Sequence, residues 1–261
     1  MTRLHYEQAG DRGPRVLMIQ GTGVAGCGWS PQVEQLRHDH QLAWFDNRGV
    51  GASPGASSSL DEMAEDALEV LDALGWEDAH VVGHSLGGLI AQALVLRAPE
   101  RVRSLGLLCT LLDGRASLGL SPSRAWVQMR TAVGTRAMRR RAFFEMVSDP
   151  RIEPTEEHIT TLESAFGRSL EALPPVAYRQ VRIVMSARLA SQLEDVDVPS
   201  LVMSATHDMI APLAQGRALA DVLGAEFVEV AGGHAVTVQD APRVNSVLAD
   251  FWAEVEAQRT P

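Results

Sequence analysis

Cysteine is nearly absent from this chain of 261 residues, with only Cys27 and Cys109. Two thiols far apart in sequence exclude a metal knuckle and a disulfide-stapled secreted scaffold, and point to a reducing, cytoplasmic setting. Long apolar runs are missing as well. Nothing approaches the 18 or so uninterrupted apolar residues of a membrane span, and the opening "MTRLHYEQAGDRGPRV" has no apolar core of a signal peptide. Excess positive charge is lacking: 23 basic against 33 acidic residues give a net charge of -10, which disfavours contact with phosphate backbones or anionic lipid. Nucleic acid and membranes are therefore not expected partners. The chain has no internal repeat and no low-complexity tract beyond "ASPGASSS", a surface loop. What is present is apolar mass: 46% hydrophobic residues, enough for one large domain or a core domain carrying an insertion.

Strand and helix patterns alternate along much of that mass. The first residues alternate as a strand, and "AGDRGP" turns them into "RVLMIQG", a continuous apolar run that suits a strand buried on both faces; the pair predicts a hairpin leading into a central sheet. Helical spacing follows over 29–37, then strand "QLAWFD". "LDEMAEDALEVLDALG" puts Leu60, Met63, Ala67, Leu71 and Leu74 on one stripe and ends at Gly75, a C-cap glycine. Strand "AHVVG", helix "SLGGLIAQALVLRA" and strand "VRSLGLLC" come next, and from Pro199 strand, helix, strand and a terminal helix resume. Such alternation predicts an α/β fold, a mostly parallel sheet covered by helices on both faces. Residues 112–197 break the pattern with helical stretches interrupted by Pro122, Gly134, Pro150, Pro154, Gly167 and Pro174-Pro175. The expected organisation is a core of 1–111 and 198–261 with a helical cap inserted at 112–197. Within it Arg130, Arg136, Arg139, Arg140 and Arg141 read as a solvated face balanced by Glu145, Asp149, Glu153, Glu156 and Glu157.

Gly83-His84-Ser85-Leu86-Gly87 matches G-x-S-x-G. By composition alone the pattern arises by chance in about one chain in ten of this length. Its placement makes it more specific, because a serine between a buried strand and a helix sits on a sharp, strained turn that lifts its hydroxyl above the sheet. The Leu86 amide, at the helix start, then faces the place where negative charge develops on a substrate carbonyl. A second such amide is expected from the glycine-rich loop "IQGTGVAGCGW", with Thr22 preferred and Gly23 possible. A serine alcohol needs a base, and the base needs an acid to orient it. His5, His38, His40, His80 and His158 lie in polar, surface-like sequence, and His84 is inside the turn. His207 and His234 remain. His234, in "VAGGHAVTVQDAP", follows a strand on two glycines and makes the better base; Asp208, beside His207 in "SATHDMIAP", makes the better acid, with Asp113 in "CTLLDG" a rival. Trp126, Met129 and Val133, like Phe143, Phe144 and Val147, fall at helical spacing; Trp126, Met129 and Phe143, together with Gly23 and Met209, are the expected substrate-binding residues.

On four stretches the chain resembles the α/β-hydrolase fold superfamily: "QGTGVAGCGW", "FDNRGVGASPG", the "GHSLGG" elbow, and the paired "ATHDMIAP" and "GGHAVTVQDAP" loops. The resemblance runs over nearly the whole chain and implies a serine nucleophile and a helical lid. It departs at Gln20-Gly21, where such proteins usually carry His-Gly. The expected activity is hydrolysis of a carboxylic ester or lactone of a small, mostly apolar acid, with no cofactor and no metal. Carbon-carbon bond hydrolases, thioesterases, cofactor-free perhydrolases and biosynthetic cyclases or acyltransferases use a similar triad and stay open. A receptor that keeps the fold without turnover is the alternative of a different class.

Overall fold

The computed structural model describes residues 4–114 and 122–259, with the backbone alone at 122–125. The part of the insertion at 115–121 lies outside the described residues. Seven strands form one sheet in the order β1-β3-β2-β4-β5-β6-β7. β1 (Tyr6–Ala9) runs antiparallel to β3 (Gln41–Phe45). β2 (Arg15–Ile19), β4 (Ala79–His84), β5 (Val102–Leu108), β6 (Ser200–Ala205) and β7 (Glu226–Val230) are parallel to their neighbours, and β2 is parallel to β3. The expected hairpin is not formed: β1 pairs with β3, not β2. The turn between β1 and β2 instead wraps the start of β3, with Gly10 and Gly13 at φ +82° and +77° pressed on the carbonyls of His40 and Asp39, where no Cβ would fit.

Burial explains the two kinds of strand. β2, β4, β5 and β6 carry continuous apolar runs and are covered on both faces, whereas β1 and β7, the two edge strands, are part-exposed. One face is covered by α2 (Leu60–Leu74), α3 (Leu86–Arg97) and α9 (Leu213–Leu223). Ser59 caps α2 by accepting from the Glu62 amide, and Gly75 closes it in the left-handed conformation. The other face carries α1 (Ser30–Leu36), α10 (Val236–Gln239) and α11 (Ala241–Arg259). α11 lays Val244, Leu248, Phe251, Trp252 and Val255 on the sheet, a stripe in which each large side chain contributes about 1.5–3 kcal/mol.

Between β5 and β6 the described chain is helical: α4 (Pro122–Ala132), α5 (Arg136–Val147), α6 (Glu156–Phe166), α7 (Pro175–Ser186) and α8 (Ala190–Leu193). A third apolar cluster sits here. Phe143, Phe144 and Val147 of α5 meet Ile159, Leu162 and Phe166 of α6, and Val24 and Ala235 join them from the loops after β2 and β7. Four of the five arginines are ion-paired, two of their partners being expected ones: Arg130 and Arg141 with Glu145, Arg140 with Glu156 and also Glu163, and Arg136 with Glu171, whereas Arg139 donates to the carbonyls of Glu171 and Gly134. Asp149 is taken by its near neighbour Arg151.

Candidate active site

β4 ends in the elbow. Ser85 sits at φ 57° and ψ -119°, a left-handed conformation that side chains rarely adopt. The surroundings leave no alternative, because a Cβ on Gly83 would lie 2.2 Å from the Gly87 carbonyl oxygen and one on Gly87 would lie 2.0 Å from that of Ile19. The Ser85 amide donates to Leu108 at 2.9 Å, and its carbonyl accepts from the Thr110 hydroxyl at 2.7 Å. The turn is thus clamped by the neighbouring strand, and its hydroxyl is left part-exposed.

Two loops from beyond β6 and β7 reach that hydroxyl. Nδ1 of His234 lies 2.8 Å from Asp208 Oδ2 and Nε2 lies 2.9 Å from Ser85 Oγ. An ionised carboxylate only accepts, so Nδ1 carries the proton and Nε2 is free to accept from the serine O–H. The other carboxylate oxygen of Asp208 accepts from the Ile210 and Ala211 amides at 2.7 and 2.8 Å. Asp208 and His234 are both buried. Asp113 lies elsewhere, in an ion pair with Arg188 at 3.1 Å. His207 is exposed, its amide bonded to the Gly232 carbonyl.

His84 backs the site. Its Nε2 donates to the His234 carbonyl at 2.9 Å, which leaves Nδ1 buried and without a partner among the described residues. Burial, helped by the nearby His234, pushes the His84 imidazole down to about 3, so it stays neutral. Cys109, at φ 47°, has its thiol held well above the ordinary cysteine value by burial and by the Asp208 carboxylate.

The loop after β2 lies directly over the elbow. A Cβ on Gly21 would stand 3.5 Å from Ser85 Oγ. Of four successive amides here, three are engaged. Gly21 N donates to the Gln20 side chain at 3.1 Å, Gly23 N to Gln180 Oε1 at 2.8 Å, and Val24 N to the Gly21 carbonyl at 3.3 Å. The Thr22 amide has no acceptor among the described residues. Neither has that of Leu86, which opens α3 as one of the orphan donors of a first turn. The Gly23 amide, held by Gln180, is not available as an oxyanion donor. Asp46 and Asn47, from "FDNRGVGASPG", brace this loop: Asp46 accepts from the Gly26 amide at 2.6 Å and Asn47 donates to the Gln20 carbonyl at 2.9 Å.

The other residues expected at a pocket are placed variously. Phe143 is buried among α5, α6 and Arg168, and Met209 is part-buried beside Asp208. Trp126 and Met129 are 58% and 48% exposed on α4, facing solvent. A cavity of about 420 Å³ is lined by Ser57, Ser58, Arg179, Arg182, Ile183 and Ser186. Among the described residues no group of three metal-binding side chains converges, and no helix is long and apolar enough to cross a membrane.

The profile of the alpha/beta hydrolase fold matches residues 14–182. The chain belongs to this family. Relatives extend the likeness over the whole length. A protein of Azorhizobium caulinodans named "Putative carbamate hydrolase RutD" is 33% identical, covering 97% of this chain and 96% of its own. A protein of the same name from Variovorax paradoxus is 30% identical over 99% of both. The solved enol-lactonase of Burkholderia xenovorans LB400 superposes with a TM-score of 0.79 at 24% identity, covering 96% of each chain, which is a likeness of fold. Family and relatives together make this protein a hydrolase. Three residues escaped the sequence reading. Gln180, Arg168 and Cys109 touch the site from an amphipathic helix, a helix-to-helix connection and a strand end, and no local pattern marks them. His40 and His80, read as surface residues, are buried.

Proposed function

We propose that the protein is a serine hydrolase cleaving a carboxylic ester or lactone of a small, mostly apolar acid through an acyl-enzyme. The observation that carries this reading is the line Asp208, His234, Ser85, with 2.8 and 2.9 Å between successive polar atoms. In this mechanism Ser85 Oγ attacks the carbonyl carbon as its proton passes to His234 Nε2. The imidazolium, held by Asp208, gives that proton to the departing alkoxide, and an ester of Ser85 remains. Water then attacks the acyl carbon, losing a proton to His234, and the acid leaves as Ser85 regains its hydrogen. The amides of Thr22 and Leu86 stabilise the tetrahedral oxyanion at both steps, each contributing about 3–4 kcal/mol if typical of such donors. The chemistry requires neither metal nor organic cofactor. The helices between β5 and β6 serve as a cap, with Gly23, Phe143 and Met209 near the acyl group and Trp126 and Met129 at its outer rim. Two unpaired thiols fit a cytoplasmic protein.

The names of the relatives favour a second reading, in which the scissile carbonyl belongs to a carbamate. The same residues would then form a carbamoyl-enzyme. Initial rates on p-nitrophenyl acetate, an aliphatic lactone and a p-nitrophenyl carbamate separate the two by the ratio of kcat/KM. Ser85→Ala should abolish turnover and covalent labelling by a fluorophosphonate. Activity retained in that purified variant would refute the serine mechanism for either substrate.

A further inference from the structure

The turn that presents the Thr22 amide is held by the insertion. Gly21 accepts from Val24 N across four residues, and Gly23, third in the turn, has φ +64°. This is a β-turn whose closing bond fixes the Gly21–Thr22 peptide that carries the Thr22 N–H, and with glycine third in it no side chain holds the turn closed. Gly21 directs its carbonyl into the turn, so in the trans peptide the Thr22 N–H points the other way, out of it. Both groups of Gly23 are gripped from outside the turn: its amide donates to Gln180 Oε1 at 2.8 Å, and its carbonyl accepts from Arg168 Nε at 2.9 Å. α7 seats directly on the same residue, since a Cβ added to Gly23 would meet Pro174 at 3.1 Å and Ala177 at 3.2 Å. Pro174, Ala177 and Gln180 are one face of that helix.

Gln180 is an unusual interior residue, and Arg168 is part-buried. Gln180 is 1% exposed, and its Nε2 is buried without a partner among the described residues, as is Nη2 of Arg168. A side chain kept in the interior with half its hydrogen-bonding capacity idle is retained for the half it uses. Arg168 lies over the Phe143 and Phe166 rings at 4.8 and 5.9 Å and forms no ion pair with a carboxylate among the described residues. Burial lowers it to about 10, so it is still a cation at neutral pH.

Building on the serine-hydrolase reading, we propose that Gln180 and Arg168 are positioning residues for the oxyanion turn: they lock the two peptides of Gly23 and so hold the Thr22 amide on the developing oxyanion. The insertion is thereby part of the catalytic machinery and not only a wall of the pocket. An opening of the insertion that separated Gln180 from Gly23 would release the Thr22 donor, so the enzyme would be competent only with this contact made.

The test is a set of variants whose substrate contacts are unchanged. Gln180→Met keeps shape but removes the acceptor, and Gln180→Glu restores an acceptor oxygen. Kinetics on p-nitrophenyl acetate are compared with Ki for a trifluoromethyl ketone, which forms a tetrahedral adduct on Ser85. The expected result for Gln180→Met is a kcat lowered about tenfold to a hundredfold with KM within twofold, a Ki raised by the same factor, and recovery of most of both losses in Gln180→Glu. Arg168→Met should act in the same direction. If Gln180→Met fails to fold, Gln180→Glu and Gln180→Asn, which keeps an acceptor one methylene short, carry the comparison through the same ratio of kcat to Ki. A folded Gln180→Met with kcat and Ki unchanged overturns the proposal, and so does a change confined to KM, which would make Gln180 a pocket wall. Wild-type enzyme that resists fluorophosphonate would instead overturn the serine mechanism itself.

Discussion

Asp208→Asn tests the orientation of the imidazole at nearly constant shape. The carboxylate receives three N–H groups: Ile210 and Ala211 amides on Oδ1 and His234 Nδ1 on Oδ2. An asparagine can satisfy the two amides with its oxygen, or His234 with that oxygen, but not both. Two neutral hydrogen bonds at about 1 kcal/mol each outweigh one, so the oxygen stays on the amides and the NH2 faces Nδ1. A donor at that position forces the proton of His234 onto Nε2. Nε2 then donates to Ser85 Oγ and can no longer take its proton. The expected loss is about 10⁴-fold in kcat, or about 5.5 kcal/mol of transition-state stabilisation. The assay is the initial rate on p-nitrophenyl acetate together with the rate of fluorophosphonate labelling, with the thermal midpoint measured in parallel. Because the two amide bonds survive, stability should fall by only about 1–2 kcal/mol. A folded Asp208→Asn enzyme that keeps more than a tenth of wild-type kcat would refute the argument. Asp113→Asn removes the charge paired with Arg188 and should leave kcat within twofold; a large loss there would make Asp113 the orienting acid.

Two further predictions concern stability. His80 is fully buried in β4, with Nδ1 2.7 Å from the Ser104 hydroxyl, and burial followed by the nearby Arg103 charge lowers it to about 3. The unfolded chain binds a proton below about pH 6.5 that the native His80 refuses, so stability is full above that pH and falls as pH drops towards 3. At pH 5 the loss is about 2 kcal/mol for each such histidine, and His84 adds its own. Urea midpoints at pH 7 and pH 5 measure it. His80→Asn should shrink the difference by about half, and an unchanged difference would clear His80 of the effect. At the elbow, Gly83→Ala puts a Cβ within 2.2 Å of the Gly87 carbonyl, backbone against backbone, so nothing flexible can yield. A cost of about 3 kcal/mol is expected, read by calorimetry as a midpoint lower by about 6–12 °C with activity lost, and a midpoint within 2 °C of wild type would contradict it.

The residues that carry local patterns were readable and those that depend on a distant partner were not. β6 is found at "SLVMSA" and α2 at Leu60–Leu74 because apolar period, cap and terminal glycine agree there. Ser85, Asp208 and His234 stand at the ends of three strands, so the sheet itself brings them together. The hairpin failed because a two-strand pattern with a tight turn does not say which neighbour the first strand prefers; the edge of β3 was the better partner, and only the sheet order reveals it. His80 failed for a related reason. In "DAHVV" it looks like one more polar residue, yet it lies within a central strand, where Ser104 across the ladder and Glu256 from α11 meet it.

Gln180 shows the same limit at the site itself. On an amphipathic helix a glutamine is read as a solvent-facing residue, and the sequence around it, "VAYRQVRIV", places arginines on both sides. Its meaning comes from Gly23, 157 residues earlier, whose amide it accepts. Gln20, which stands where the resemblance implies a histidine, takes up the Gly21 amide with its own side chain, and the Gly23 amide finds its acceptor outside the loop. With the Gly21 amide occupied and Val24 closing the turn, the Thr22 N–H is the donor left over, and its direction depends on a turn that glycine alone does not fix. On the proposed mechanism Gln20, the buried Gln180 and the part-buried Arg168 serve one arrangement: a loop that takes from the inserted helices the rigidity that an oxyanion donor needs.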